Sequence, residues 1–126
     1  MSYQIVWDDT EQTKIRLEFY DRWTWDDWVL GHDEMHAMVA SVPHHVDIIA
    51  CFHTMMPRGN AIPNMKRSGS TQPPNARHTV FVNHAGPMFR QMVDTVVGVM
   101  GWTGPMFCTD VHEARVHLHQ LPYDAV

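Results

Sequence analysis

No stretch of this sequence supplies the roughly 20 consecutive apolar residues that a membrane-spanning helix needs. The first residues, Met1-Ser2-Tyr3-Gln4, also lack the basic-then-apolar order of an export signal. A cytoplasmic location is the resulting expectation. Cysteine is scarce, with Cys51 and Cys108 alone and both set in apolar stretches. They read as reduced core thiols rather than as a disulfide framework. No Gly-x-Ser-x-Gly elbow and no glycine-rich phosphate loop is present, and no cysteine stands outside a strand-like run, so nucleophilic catalysis has no obvious carrier. A basic excess is missing as well. Nine Lys and Arg against 14 Asp and Glu give a net charge of −5, which argues against nucleic-acid binding.

One absence is local. From Ile48 to Val93 there is no acidic residue, while Arg58, Lys66, Arg67, Arg77 and Arg90 fall inside that segment. A basic middle on an acidic chain suits an anionic ligand or an acidic partner surface, and the same pattern also fits solvated cations on a loop.

What is present is one domain's worth of chain: 126 residues, 44% hydrophobic, enough to bury a core without staples. Its centre is His45-Val46-Asp47-Ile48-Ile49-Ala50-Cys51-Phe52-His53-Thr54, bounded by Pro43 and Pro57. A short apolar run without alternation reads as a strand buried on both faces of a sheet. The residues after it then lie at the carboxyl end of a central strand, where open α/β sheets bind ligands.

Tyr3–Trp7 and Lys14–Tyr20 flank Asp8-Asp9-Thr10, and the second run alternates Ile15, Leu17, Phe19 with Lys14, Arg16, Glu18. The pair predicts an antiparallel hairpin. Thr24-Trp25-Asp26-Asp27 matches a capping box, and Trp28, Met35, Met38, Val39 and Val42 recur at helical spacing until Pro43. A short helix around Ala61–Arg67, a loop over Ser68–Asn75 and a strand over Thr79–Asn83 follow. Gly86-Pro87 opens a helix with Phe89, Met92, Val93, Val96, Val97 and Met100 on one face, ended by Gly101 and Gly104-Pro105. Met106–Thr109 reads as a last strand, and Asp110 caps a last helix. The order β-β-α-β-α-β-α-β-α predicts a single α/β domain over 1–126. An N-terminal antiparallel hairpin joins a mainly parallel sheet of about five strands, with helices on both faces and right-handed crossovers.

This order, with Val46-Asp47-Ile48-Ile49 before a polar turn, Thr79-Val80-Phe81-Val82 before Gly86-Pro87-Met88-Phe89, and the ending Phe107-Cys108-Thr109-Asp110-Val111-His112-Glu113-Ala114, resembles the STAS-like domains. That group contains bacterial anti-sigma-factor antagonists and the cytoplasmic domains of sulfate transporters. The resemblance covers almost the whole chain and implies a bacterial, cytoplasmic, non-enzymatic regulatory domain without a cofactor. Its phosphorylation-switch members carry Asp-Ser where the second helix begins. Here that region reads Met56-Pro57-Arg58-Gly59-Asn60-Ala61, without a hydroxyl, while Thr54 lies before it and Ser68 after it. The switch is therefore not expected at this place.

The expected binding edge comprises His53, Thr54, Arg58, Asn60, Asn83, His84 and Arg90, at the ends of two neighbouring strands and the next helix start, where free amides favour anions. The expected occupant is a protein partner or a small anionic ligand, and a homodimer is a separate expectation. The alternative is a small histidine-dependent metal-binding protein or enzyme. Among ten histidines, His32 and His36 stand four apart on one helix face, a chelating spacing, but no third ligand can be assigned beside them.

Overall fold

The computed structural model describes residues 2–82, 87–100 and 106–121. In chain order these form β1 (Tyr3–Trp7), β2 (Lys14–Phe19), α1 (Trp25–Ala40), β3 (Val46–Phe52), α2 (Ala61–Ser70), β4 (Ala76–Val82), α3 (Pro87–Met100), β5 (Met106–Cys108) and α4 (Val111–Gln120). This is the predicted order. The strands make one sheet in the spatial order β1-β2-β3-β4-β5. β1 and β2 pair antiparallel, from Tyr3 opposite Phe19 to Trp7 opposite Ile15, and every later neighbour is parallel.

The hairpin turn is held by Asp9, whose carboxylate accepts from the Thr13 hydroxyl and from the Thr13 and Lys14 amides at 2.9 and 3.1 Å. α1 begins with the anticipated capping box: the Asp27 amide donates to Thr24 Oγ1 at 3.1 Å and the Thr24 amide to Asp27 Oδ2 at 3.0 Å. Its buried residues Trp25, Trp28, Gly31, His32, Met35, His36 and Val39 follow the helical repeat. At Gly31, α1 packs closely on the hairpin. A Cβ there would lie 3.3 Å from Leu17 Cδ1 and 3.4 Å from Tyr3 Cδ2, so a side chain at this position would crowd both.

Most boundaries fall within two residues of the prediction, and two differ by three. α2 continues through Ser70, across residues whose composition suggests a loop. Tertiary contact accounts for it: the Ser68 hydroxyl is buried, accepting from Trp28 Nε1 at 2.6 Å and donating to the Asn64 carbonyl at 3.1 Å. Strand β4 starts at Ala76, three residues early, because Val46 pairs with Ala76 across an irregularity in the ladder. Gly86, Gly101, Gly104 and Pro105, expected to open and end α3, lie outside the described residues.

The sheet is covered unequally. α1, α2 and α3 pack on the face that presents Ile15, Leu17, Phe19, Ile48, Ala50, Phe52 and Phe81. α4 lies on the other face, through Ala114 and Leu118, against Ile49, Cys51, Val80, Val82 and Cys108. None of the described helices is long and apolar enough to cross a membrane.

All seven residues of β3 are buried, and one of them is Asp47. Between Val46 and Ile48 the register advances by two on β3 and by three on β4, so Arg77 and His78 together face Asp47. The bulge frees the His78 amide to donate to Asp47 Oδ1 at 3.1 Å. Arg77 completes the site as a bidentate partner, Nε to Oδ1 at 3.1 Å and Nη2 to Oδ2 at 2.9 Å. A buried carboxylate is tolerable only with such compensation. Replacing Asp47 by alanine removes the partner of Arg77 and the acceptor of the bulge amide together. We expect a loss of about 3–5 kcal/mol in urea unfolding. The double variant D47A/R77M should be less destabilised than D47A alone, and equal losses would show that the pair is not what holds the bulge.

Candidate functional site

Between the sheet and the three-helix layer lies a cavity of about 650 Å³. Ile48 and Ala50 of β3 and Thr79 and Phe81 of β4 line it from the sheet. Trp28, His32 and Met35 of α1, Met65 and Ser68 of α2, and Val93, Val96 and Val97 of α3 line it from the helices. Gln72, Arg77 and His78 add polar lining, and Met106 and Leu121 further apolar surface. An apolar chamber with a few convergent polar groups is the usual form of a small-molecule site.

The aromatic side chains that build it are the core itself. Phe19 stacks on Phe52 and on Trp28, with centroids 5.4 and 5.6 Å apart, and Trp28 lies 4.2 Å from the His32 ring. Trp25 and Trp28 are both buried in the core on this face, with Trp25 Nε1 donating to the Pro57 carbonyl at 3.2 Å. Trp28 both fills the core and borders the cavity.

His32, in the cavity wall, has strongly altered acid–base chemistry. Burial pushes its pKa down to about 4, against a smaller upward pull from its hydrogen bond to the Trp28 carbonyl. The ring is therefore neutral near pH 7. Its Nδ1 lies 2.8 Å from that carbonyl, which can only accept, so Nδ1 holds the proton and Nε2 keeps a lone pair. His36 is also lowered, chiefly by burial. Its Nδ1 is 3.4 Å from the Thr71 hydroxyl, and its Nε2 is buried without a hydrogen-bond partner, as is Nε2 of the cavity-lining His78.

His32 and His36 do sit one turn apart with ring centroids 6.0 Å from each other. Among the described residues no third metal-ligating side chain joins them. The thiols are not poised for attack either. Burial pushes Cys51 up to about 12, and burial followed by the nearby Glu113 and Asp110 raises Cys108.

The predicted binding edge occupies a different place. His53 follows β3 directly and turns towards β2, with Nε2 3.0 Å from Glu18 Oε1 and its ring stacked 4.8 Å from Tyr20. The Thr54 hydroxyl donates to the Met55 carbonyl at 3.3 Å. Arg58 is exposed, and Asn60 is the N-cap residue of α2 without a side-chain cap bond. Arg90 lies 4.6 Å over the Phe107 ring. Asn83 and His84 lie outside the described residues. Nor does the basic segment form one surface, since the largely covered Arg77 is committed to Asp47 and Arg67 pairs with Asp33 on α1 at 3.2 Å.

The polar lining of the cavity was missed in the sequence, where Gln72 and His78 belong to no motif and Arg77 and Thr79 stand only as members of the basic segment and of a strand. The only available signal was Asp47, an acid within an apolar strand, which demands a buried cationic partner. The chain matches no family model, no curated protein and no solved structure.

The lowered pKa of His32 has a consequence for stability. Well above pH 6.5 neither the folded nor the unfolded ring is protonated, and the folded state has its full stability. As pH falls from 6.5 towards 4 the unfolded chain takes up a proton that the folded chain refuses, so stability drops through that window, by on the order of 3 kcal/mol for His32. Thermal melts at pH 7 and pH 4.5 should show the loss, and His32→Phe should flatten it, leaving the smaller contribution of His36. An unchanged pH slope in H32F would place the titration elsewhere.

Proposed function

We propose that this chain is a non-enzymatic regulatory domain of STAS-like type that works by holding a small, largely apolar molecule between its sheet and the α1–α2–α3 layer. The observation that carries this reading is the cavity of about 650 Å³, whose walls are mostly aliphatic, aromatic and methionine side chains. His32 Nε2 supplies an acceptor for a hydroxyl or N–H of the ligand, and the unpartnered Nε2 of His78 supplies a second polar contact. The STAS-like element order supports a regulatory rather than catalytic role in the bacterial cytoplasm, and the raised thiols agree with it. The rim carrying His53, Thr54, Arg58 and Asn60 is then the surface on which a protein partner reads the ligand state. Ser68 takes no part in a phosphorylation switch in this reading, because its hydroxyl is buried beneath Trp28.

The test uses 1-anilinonaphthalene-8-sulfonate as the probe and Ala50→Leu as the variant. Ala50 is 1% exposed and borders the cavity, so the added carbons enter the space a ligand would use. Wild-type protein should bind one equivalent with enhanced probe fluorescence. A50L should bind roughly tenfold or more weakly, a change of about 1.4 kcal/mol or more, while its melting temperature stays within a few degrees. Undiminished binding in folded A50L, or no binding by the wild type, would overturn the proposal.

A further inference from the structure

A second constellation sits on the opposite face of the sheet, at the junction of β5 and α4. Cys108 ends β5, and Glu113 and His117 stand four apart on α4, one turn above each other. Their ligand atoms, a sulfur, a carboxylate oxygen and an imidazole nitrogen, all lie within 4.8 Å of one another. We propose that Cys108, Glu113 and His117 form a binding site for a divalent transition-metal ion of the zinc type.

Chemistry and geometry agree on that class of ion. Thiolate, imidazole and carboxylate together suit zinc and cobalt rather than magnesium or calcium, which take oxygen ligands. Tetrahedral bonds of about 2.0–2.3 Å place ligand atoms about 3.3–3.8 Å apart. The present separations close to that with a small adjustment, chiefly of the exposed His117 side chain.

The carboxylate is already oriented for the task. Glu113 Oε2 accepts from the Thr109 hydroxyl at 2.6 Å and the Thr109 amide at 3.2 Å. Its other oxygen, Oε1, is left facing His117 Nε2 at 3.9 Å. Thr109 thus acts as the outer-shell support that metal-binding carboxylates need. The Asp110 cap, accepting from the Glu113 amide at 2.8 Å, fixes the first turn of α4 against the end of β5.

On binding, the S–H bond of Cys108 breaks, the sulfur gives its electron pair to the ion, and one proton leaves to solvent. Thiolate and carboxylate then neutralise the dication. Three protein ligands leave a fourth tetrahedral position for water, the arrangement of open rather than closed zinc centres. The site is independent of the cavity and of the ligand proposed for it.

Cobalt(II) titration of tag-free protein provides the test, because a Co–thiolate bond gives a near-ultraviolet charge-transfer band that histidine-only sites elsewhere on the chain cannot. The wild type should develop this band to one equivalent, lose it when Zn²⁺ is added, and melt at a higher temperature with Zn²⁺. Cys108→Ser should abolish the band. Glu113→Gln and His117→Gln, both on the helix surface, should weaken cobalt binding by roughly tenfold or more and remove the Zn²⁺-induced rise in melting temperature. Cys51→Ser and the pair His32→Gln/His36→Gln should leave the band intact. Absence of a thiolate band in the wild type, or an unshifted titration in H117Q, would overturn the assignment.

Discussion

The structure turns on a charge buried in its central strand. β3 is covered on both faces and has a sheet neighbour on each side, so every residue in it is buried, yet it contains Asp47. The solution is local and geometric. The neighbouring strand carries one extra residue at that point, which turns an amide and a guanidinium towards the carboxylate. Without the bulge, β4 would oppose Asp47 with a single residue. The pair is weak evidence for stability in itself, since an apolar replacement of both partners often does as well. What it fixes is register. A one-residue slip of β4 would strand a carboxylate in the sheet and turn each inward side chain to the wrong face.

Register in turn decides where the empty space lies. With Ile48 opposite Thr79 and Ala50 opposite Phe81, each pair sets one smaller side chain beside a larger one on the three-helix face, and the smaller ones leave room there. Above them Trp28 is pinned by Ser68 on α2 and stacked on Phe19, so it cannot swing in to fill the gap. His32 follows one turn later on the same side, held by its bond to the Trp28 carbonyl. A cavity beside rigid aromatic packing persists because the surrounding groups have no room to collapse into it.

The two faces have separate chemical characters. The three-helix side is aromatic and methionine-rich and encloses space. The α4 side is thin, with Ala114 and Leu118 as the only fully buried residues of the covering helix. Polar groups gather around it: Asp8 takes both Arg16 and Arg115 at 2.6 and 2.7 Å, and Cys108, Glu113 and His117 cluster at its start. The cavity and the Cys108–Glu113–His117 constellation therefore occupy opposite sides of one sheet, separated by the fully buried strand.

Much of this architecture was legible in the residues. Strict alternation in Lys14–Phe19, the Thr24–Asp27 capping box, and unbroken apolarity from Ile48 to Phe52 each specify local structure through short-range sterics and solvent exposure, and each element formed where its pattern stood. The α2 extension was not legible, because Ser68-Gly69-Ser70 favours a loop until Trp28 offers a buried hydrogen bond from 40 residues away. The bulge was not legible for the same kind of reason: pairing between β3 and β4 is a contact of about 30 residues' separation that no local propensity encodes. His53 illustrates the limit at the level of a site. Its position at a strand end followed from sequence, but its direction, towards Glu18 and Tyr20, was set by which strand lay beside it. The sequence by itself determined the elements, their order and the buried charge that had to be answered. Only the tertiary structure decided which side chains meet, because cavities and ligand clusters are made of distances between residues far apart in the chain.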